Sequence, residues 1–118
     1  MKGQVFAADC PSRKILLTLT SRWSVLILVA LRDQRLRFNE LKKIIDGISE
    51  KMLAQTLKSL EQDGFIYRQD YAEVPPRVDY QLTDFGREAS ERLFDLTDWL
   101  ENNISRLLEK QPRSDLVV

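Results

Sequence analysis

The chain has 118 residues, with 18 basic and 18 acidic side chains, no histidine and one cysteine. This length suits one domain with a single core. The lack of histidine excludes Ser-His-Asp and Cys-His catalytic pairs and His-ligated zinc, and one cysteine forms neither an intrachain disulfide nor a Cys-rich metal site. Catalysis by lone carboxylates or lysines would need other support, and the sequence has neither a Gly-rich phosphate loop nor a paired-carboxylate site. We predict a protein that is not an enzyme and has no cofactor or metal.

The sequence contains no segment that predicts membrane insertion or secretion. The longest apolar stretch, residues 23–31, is about half of the ~20 residues that a membrane-spanning helix needs. The N-terminus lacks an apolar run before a small-residue cleavage site. We expect a soluble cytoplasmic protein with no membrane partner.

The first third of the chain predicts an arm followed by two helices. Residues 1–10 show no periodicity and form the arm. Pro11 suits the first position of a helix, which continues to Leu19. Residues 22–32 are apolar nearly all round, which predicts a central buried helix.

The middle of the chain predicts a short strand and two helices. A brief strand fits residues 35–37, and Asn39 then caps a helix over 40–46 that ends at Gly47. Ser49 caps a stronger helix over 50–63, and Gly64 ends it. Leucines at i, i+4 and i+7 predict its buried stripe. The opposite face is basic and rich in amides, and it consists of Lys51, Gln55, Lys58, Ser59 and Gln62.

The last part of the chain predicts a β-hairpin and one long helix. Residues 65–71 and 78–83 are rich in strand formers, and Pro75 and Pro76 belong in the loop between them. Thr83 or Asp84 caps a helix that runs to about Lys110, followed by a tail over 111–118. A 25-residue helix spans about 37 Å, more than the domain needs to cover its own core, which favours a second copy of the chain as its partner.

The zero net charge results from a basic first part of the chain and an acidic second part. Residues 1–77 hold 13 basic and 9 acidic side chains, whereas residues 78–118 hold 5 and 9. Residues 35–77 hold 8 basic and 7 acidic side chains. A zero net charge of this origin does not argue against a nucleic-acid partner.

The order of these elements is that of a winged helix-turn-helix, an α+β and mostly helical fold. We predict a single domain with an arm (1–10), a DNA-binding core (11–83), a dimerisation helix (84–110) and a tail (111–118). The second helix of the pair fits the major groove, while the hairpin wing reaches the backbone or minor groove. The candidate contacts with double-stranded DNA are Arg37, Asn39, Lys42, Lys43, Ser49, Lys51, Gln55, Lys58, Ser59, Arg68 and Arg77. Among these, Lys51, Gln55 and Lys58 are the candidates for base edges.

Several blocks of the chain, spread over residues 10–105, resemble one family of regulators. The blocks are Cys10-Pro11, Trp23 with its apolar helix, Arg37-Phe38-Asn39-Glu40-Leu41, Ile48-Ser49-Glu50-Lys51-Met52-Leu53, residues 57–66, Val74-Pro75-Pro76-Arg77-Val78-Asp79-Tyr80, Leu82-Thr83-Asp84-Phe85-Gly86 and Trp99. Together they resemble the HxlR-type transcriptional regulators, which are bacterial winged-helix proteins similar to the MarR group.

The resemblance implies a homodimer that binds an operator with pseudo-two-fold symmetry and acts as a repressor or an activator. It also implies dimerisation through the first and last helices, for which the candidate residues on the last helix are Leu93, Leu96, Trp99, Leu100, Ile104 and Leu107. Several members of the family sense electrophiles, quinones or oxidants through a cysteine near the N-terminus. Cys10 occupies that place.

The residues around Cys10 leave its role, and with it the mode of regulation, open. A helix start followed by Arg13 and Lys14 favours the thiolate, while Asp9 opposes it. Because there is no second cysteine, a redox switch requires an intersubunit disulfide or a mixed disulfide with a small thiol. The alternatives are a structural Cys10 in a regulator controlled by a small-molecule ligand, or a winged helix that docks proteins instead of DNA.

Overall fold

The structure, a computed structural model, describes residues 2–110, so the predicted tail over 111–118 lies outside the described residues. The elements in chain order are α1 (Pro11–Leu19), α2 (Arg22–Ala30), α3 (Phe38–Ile44), α4 (Glu50–Gln62), β1 (Ile66–Asp70), β2 (Val78–Leu82) and α5 (Asp84–Lys110). Both strands pair antiparallel, with Ile66 opposite Leu82 and Asp70 opposite Val78. This is the predicted winged helix-turn-helix. No helix among the described residues is both long and apolar enough to cross a membrane.

The core lies between α2, the α3–α4 pair and the base of the hairpin. α2 lies at its centre, as its apolar sequence predicts, and α4 contributes the predicted leucine stripe. The buried apolar side chains are Ile27, Leu28, Leu31, Leu36, Leu41, Ile45, Ile48, Leu53, Leu57, Leu60, Ile66 and Leu82.

The start of α3 differs from the prediction. The helix begins at Phe38, so Asn39 lies inside its first turn and does not cap it. The Glu40 carboxylate instead accepts a hydrogen bond from the Arg37 amide at 2.8 Å, which satisfies one of the free N–H groups at the helix start. α3 ends at Ile44, before the predicted Asp46, because Ile45 already has extended backbone geometry. Gly47 then turns the chain with a φ of +86°.

The predicted strand over 35–37 is reduced to a single bridge. Leu36 exchanges two backbone hydrogen bonds with Tyr80, at 2.8 and 3.2 Å, and its side chain is buried. One bridge is enough to fix the segment before α3 against β2. The base of the wing is therefore tied to the start of the helix pair.

α5 is attached to the rest of the domain through its first three turns. Thr83 is its N-cap, since the Thr83 hydroxyl oxygen accepts from the Gly86 amide at 3.0 Å. The hydroxyl of buried Ser90 donates to the Leu28 carbonyl of α2 at 2.6 Å. Gly86 and Ser90 are the buried residues of a helix about 40 Å long. Most of α5 therefore extends past the core that α2 and α4 build.

Candidate nucleic-acid interface

α4 presents its predicted polar face to solvent. The four predicted contact residues on this helix are exposed, and they are Lys51, Gln55, Lys58 and Ser59. At 100° per residue, Glu50 and Glu61 fall to one side of this face and leave its centre line basic and polar. The packing thus exposes side chains that suit the donor and acceptor pattern of base edges.

Ser49 defines the start of α4. Its hydroxyl oxygen accepts from the Met52 amide at 3.0 Å, as the sequence predicts for an N-cap. The hydroxyl hydrogen stays able to donate, and the first-turn amides and the helix dipole favour an anion at this end. Ser49 is exposed, so its predicted phosphate contact lies at an accessible helix terminus.

The start of α3 lies beside the wing loop. Arg37 and Asn39 share a cleft of about 440 Å³ with Pro76 and Val78. Farther along α3, Lys43 is exposed and Lys42 is half-buried. The start of α3 and the wing loop, which are about 40 positions apart in the sequence, thus border one surface.

The two predicted wing arginines lie on opposite faces of the hairpin. Arg68 pairs with Tyr80 and shares a face with Ile66, whereas alternation places Arg77 on the face of Asp79. The guanidinium carbon of Arg77 lies 4.8 Å from the centre of the Tyr71 ring, and its Nε is buried. The structure therefore does not bring the two arginines together, and it holds Arg77 against the hairpin.

Two basic residues absent from the predicted set lie near this surface. Lys14 of α1 shares a cleft of about 420 Å³ with Gln55 and Ser59 of α4. Arg35 donates to the Tyr71 hydroxyl at 3.0 Å. No local sequence pattern indicates either contact, because both join segments that are far apart in the chain.

Cys10 is half-buried at the N-cap of α1, where the N-terminal arm folds back. The Gln4 amide donates to its sulfur at 3.3 Å, and Arg13 donates to the carbonyls of Val5 and Phe6 at 3.1 and 2.6 Å. Hydrogen bonds from the Gln4 amide and then from Ser12 lower the pKa of the Cys10 thiol. The arm thus favours the thiolate, the reactive form of cysteine.

The predicted dimerisation residues divide into two groups. Leu93 packs partly against the core of its own chain, and Leu107 is half-buried. Farther along α5, exposed apolar side chains follow one another, with Leu96 56% exposed and Trp99 51% exposed, and Leu100 and Ile104 continue the row. Exposed Ile15, Leu16 and Leu17 give α1 an apolar surface as well.

The comparisons with known proteins agree on one family. The sequence model described as HxlR-like helix-turn-helix matches residues 18–107. The uncharacterised HTH-type transcriptional regulator YtfH of Escherichia coli K12 is 53% identical over 107 residues, which cover 91% of this chain and 85% of YtfH.

Solved structures show the same similarity. A structure named as the transcriptional regulator ytfH from Salmonella typhimurium superimposes with a TM-score of 0.85 at 51% identity, over 92% of this chain and 97% of that one. The oxidised form of the redox regulator HypR superimposes with a TM-score of 0.73 at 35% identity, over 80% of this chain and 97% of that one. These relatives are named as regulators and not as enzymes. The chain belongs to the HxlR-like helix-turn-helix family of transcriptional regulators.

Proposed function

We propose that this regulator binds an operator in double-stranded DNA, with α4 in the major groove and the wing on the adjacent backbone or minor groove. The exposed face of α4 carries the proposal, because it combines lysines with amides and a hydroxyl and has no carboxylate on its centre line. Gln55 is the residue best suited to discriminate between bases, since an amide both donates and accepts.

The other predicted contacts take supporting roles. Ser49 and the first-turn amides of α4 bind one phosphate, and Arg37, Lys42 and Lys43 face the backbone from α3. Asn39 faces the same cleft as the wing loop. Because residues 35–77 have an excess of only one positive charge, we expect base contacts and half-site spacing to supply most of the preference for an operator.

Fluorescence anisotropy with labelled promoter DNA from its own or a neighbouring gene tests the proposal, with random DNA of equal length as competitor. We expect Gln55→Ala to lower the ratio of operator to random affinity by about tenfold, the loss of one good base contact. Asn102→Ala, an exposed amide on α5, is the matched control and keeps the ratio. An unchanged ratio for Gln55→Ala contradicts the assignment, and binding to neither DNA favours the protein-docking alternative.

We infer that the operator is bound by a homodimer joined through α5 and α1. Large apolar side chains on both helices are exposed in the single chain, and α5 extends well past the core. An exposed apolar row of this kind indicates a protein interface. Two copies related by a two-fold axis then place two α4 helices in successive major grooves.

Sedimentation equilibrium tests this dimer. We expect Leu100→Glu to shift the protein to monomer, because it places a charge within the apolar row. Ser105→Glu introduces the same charge on the opposite side of α5 and leaves a dimer. A dimer of unchanged affinity with Leu100→Glu contradicts this interface.

We further propose that Cys10 senses oxidants. The lowered pKa of its thiol supports this role, and the name of HypR states that this relative is a redox regulator. With diamide, two Cys10 thiols join as an intersubunit disulfide, while the two electrons and two protons reduce the azo bond of diamide to a hydrazine. Non-reducing electrophoresis alongside operator binding tests the proposal. A Cys10→Ser protein that responds to diamide as wild type does contradicts it and favours a ligand-controlled regulator.

A further inference from the structure

Tyr71 directly follows β1, where the wing turns. Its backbone amide donates to the Arg77 carbonyl at 3.0 Å, and its ring lies under the Arg77 guanidinium, with 4.8 Å between the ring centre and Cζ. Tyr71 therefore contacts Arg77 through both its backbone and its side chain. The aromatic face attracts the cation and fixes the plane in which the guanidinium lies.

The Tyr71 ring is itself held by a polar cluster. Arg35 donates to the Tyr71 hydroxyl through Nη1 at 3.0 Å, and Gln81 donates to the same oxygen at 3.4 Å. The Gln81 carbonyl in turn accepts from the Tyr67 hydroxyl at 2.7 Å. The phenol thus has fixed partners on the face of the hairpin that carries Asp79.

A buried carboxylate anchors this cluster. Asp79 is 1% exposed, and its Oδ1 accepts from Gln81 at 3.2 Å. Its Oδ2 lies 3.7 Å from Arg35 Nε and has no hydrogen-bond partner among residues 2–110. A buried carboxylate is costly unless a cation lies near it, so Asp79 holds Arg35 in place. The contacts thus link Asp79 to Arg35, Arg35 to Tyr71, and Tyr71 to Arg77.

We propose that Tyr71 is a positioning residue for DNA binding, which holds the Arg77 guanidinium in the orientation in which it meets a phosphate or the minor groove. The Nε of Arg77 is buried against the hairpin and has no hydrogen-bond partner among residues 2–110, so the contact with DNA falls to the two terminal nitrogens. A guanidinium already held by a ring loses less conformational freedom on binding than a free side chain does. The inference rests on the proposed function.

A double-mutant cycle on operator affinity tests this role. We expect Tyr71→Leu to weaken operator binding about fivefold to tenfold and to lower the salt slope by about one counterion, as Arg77→Ala does. In the Arg77→Ala background, Tyr71→Leu has no further effect. Tyr71→Phe keeps the ring that stacks on the guanidinium but loses the hydroxyl that Arg35 and Gln81 hold, so we expect a smaller loss of affinity than Tyr71→Leu causes. Equal losses in both backgrounds, or no loss from Tyr71→Leu, overturn the proposal.

Arg77→Lys provides a second test that does not depend on the folding of a Tyr71 variant. Lysine keeps the charge but lacks the planar group that stacks on the ring. We expect Arg77→Lys to lose most of the affinity that Arg77→Ala loses, and wild-type affinity for Arg77→Lys overturns the proposal. If the wild-type protein itself does not prefer operator over random DNA, the proposed function is wrong. That outcome differs from the ones above, which overturn only the role of Tyr71.

Discussion

Gly86 allows α5 to lie directly against the turn between α4 and β1, so Gly86→Ala is a sensitive test of this packing. A Cβ at residue 86 would lie 1.8 Å from the Phe65 carbonyl oxygen and 2.8 Å from its carbon. Ordinary van der Waals contact begins at 3.4 Å, so the helix and the turn must separate by about 1.6 Å. The Phe65 oxygen is not free to move, because it accepts from the Thr83 amide at 3.1 Å.

The cost of this substitution follows from the contacts that the separation breaks. Overpacking costs about 1–3 kcal/mol, and losing the Thr83 bond to Phe65 adds about 1 kcal/mol. Because alanine favours a helix more than glycine does, the substitution also stabilises α5, by at most about 1 kcal/mol. We therefore expect Gly86→Ala to lower the free energy of unfolding by about 1–4 kcal/mol, which corresponds to a fall in Tm of about 4–16 °C.

Thermal unfolding followed by circular dichroism measures this fall, at one protein concentration because the proposed dimerisation would make Tm depend on concentration. Gly64→Ala is the matched control, since Gly64 has a φ of +84° but open space around a Cβ. Gly64→Ala should lower the free energy of unfolding by about 1–2 kcal/mol, since alanine there adopts a left-handed backbone conformation without a clash. A Tm for Gly86→Ala equal to or above wild type refutes the packing of α5 on the Phe65 turn.

Three further changes test the account elsewhere in the chain. Ser49→Ala removes the acceptor for the Met52 amide and should lower the free energy of unfolding by about 1 kcal/mol, as measured with urea. The control Ser105→Ala, at an exposed position of α5, should change it by less than about 0.5 kcal/mol. Ser90→Ala leaves the buried Leu28 carbonyl without its side-chain donor and should cost about 1–3 kcal/mol in the same assay; no loss contradicts this contact between α5 and α2. Gln4→Pro removes the amide that donates to Cys10, so the pKa of the thiol rises and its reaction with iodoacetamide at neutral pH slows. We expect a larger decrease in rate than with Ser12→Ala, because the Gln4 hydrogen bond lowers the pKa more than those from Ser12 do. A smaller decrease than with Ser12→Ala contradicts this.

The parts of the fold that follow from local patterns could be predicted from the sequence. The spacing of Leu53, Leu57 and Leu60 and the cap at Ser49 predict α4 and its outer face, and Pro75 and Pro76 predict the wing loop. The prediction at Asn39 was wrong because a Glu40 carboxylate that accepts from a backbone amide serves the start of α3 as well as an N-cap does. Sequence pattern alone does not distinguish these two ways of starting a helix.

The contacts that define the wing surface are long-range and could not be predicted. Asp79 alternates with Tyr80 in a strand, a pattern that usually places a carboxylate in solvent, yet Asp79 is buried beside Arg35, 44 positions earlier in the chain. The contact of Lys14 with the cleft of α4 likewise depends on how α1 packs. Such contacts arise from tertiary packing, which periodicity does not encode.

The central claim is that two copies of α4 bind two half-sites in one operator. DNase I footprinting of wild-type protein on the promoter region tests it most directly. We predict one protected, two-fold symmetric site whose half-sites are about one helical turn apart or a multiple of it, and whose protection is lost with Leu100→Glu. Protection of a single asymmetric half-site, or full protection by the Leu100→Glu monomer, would contradict the account.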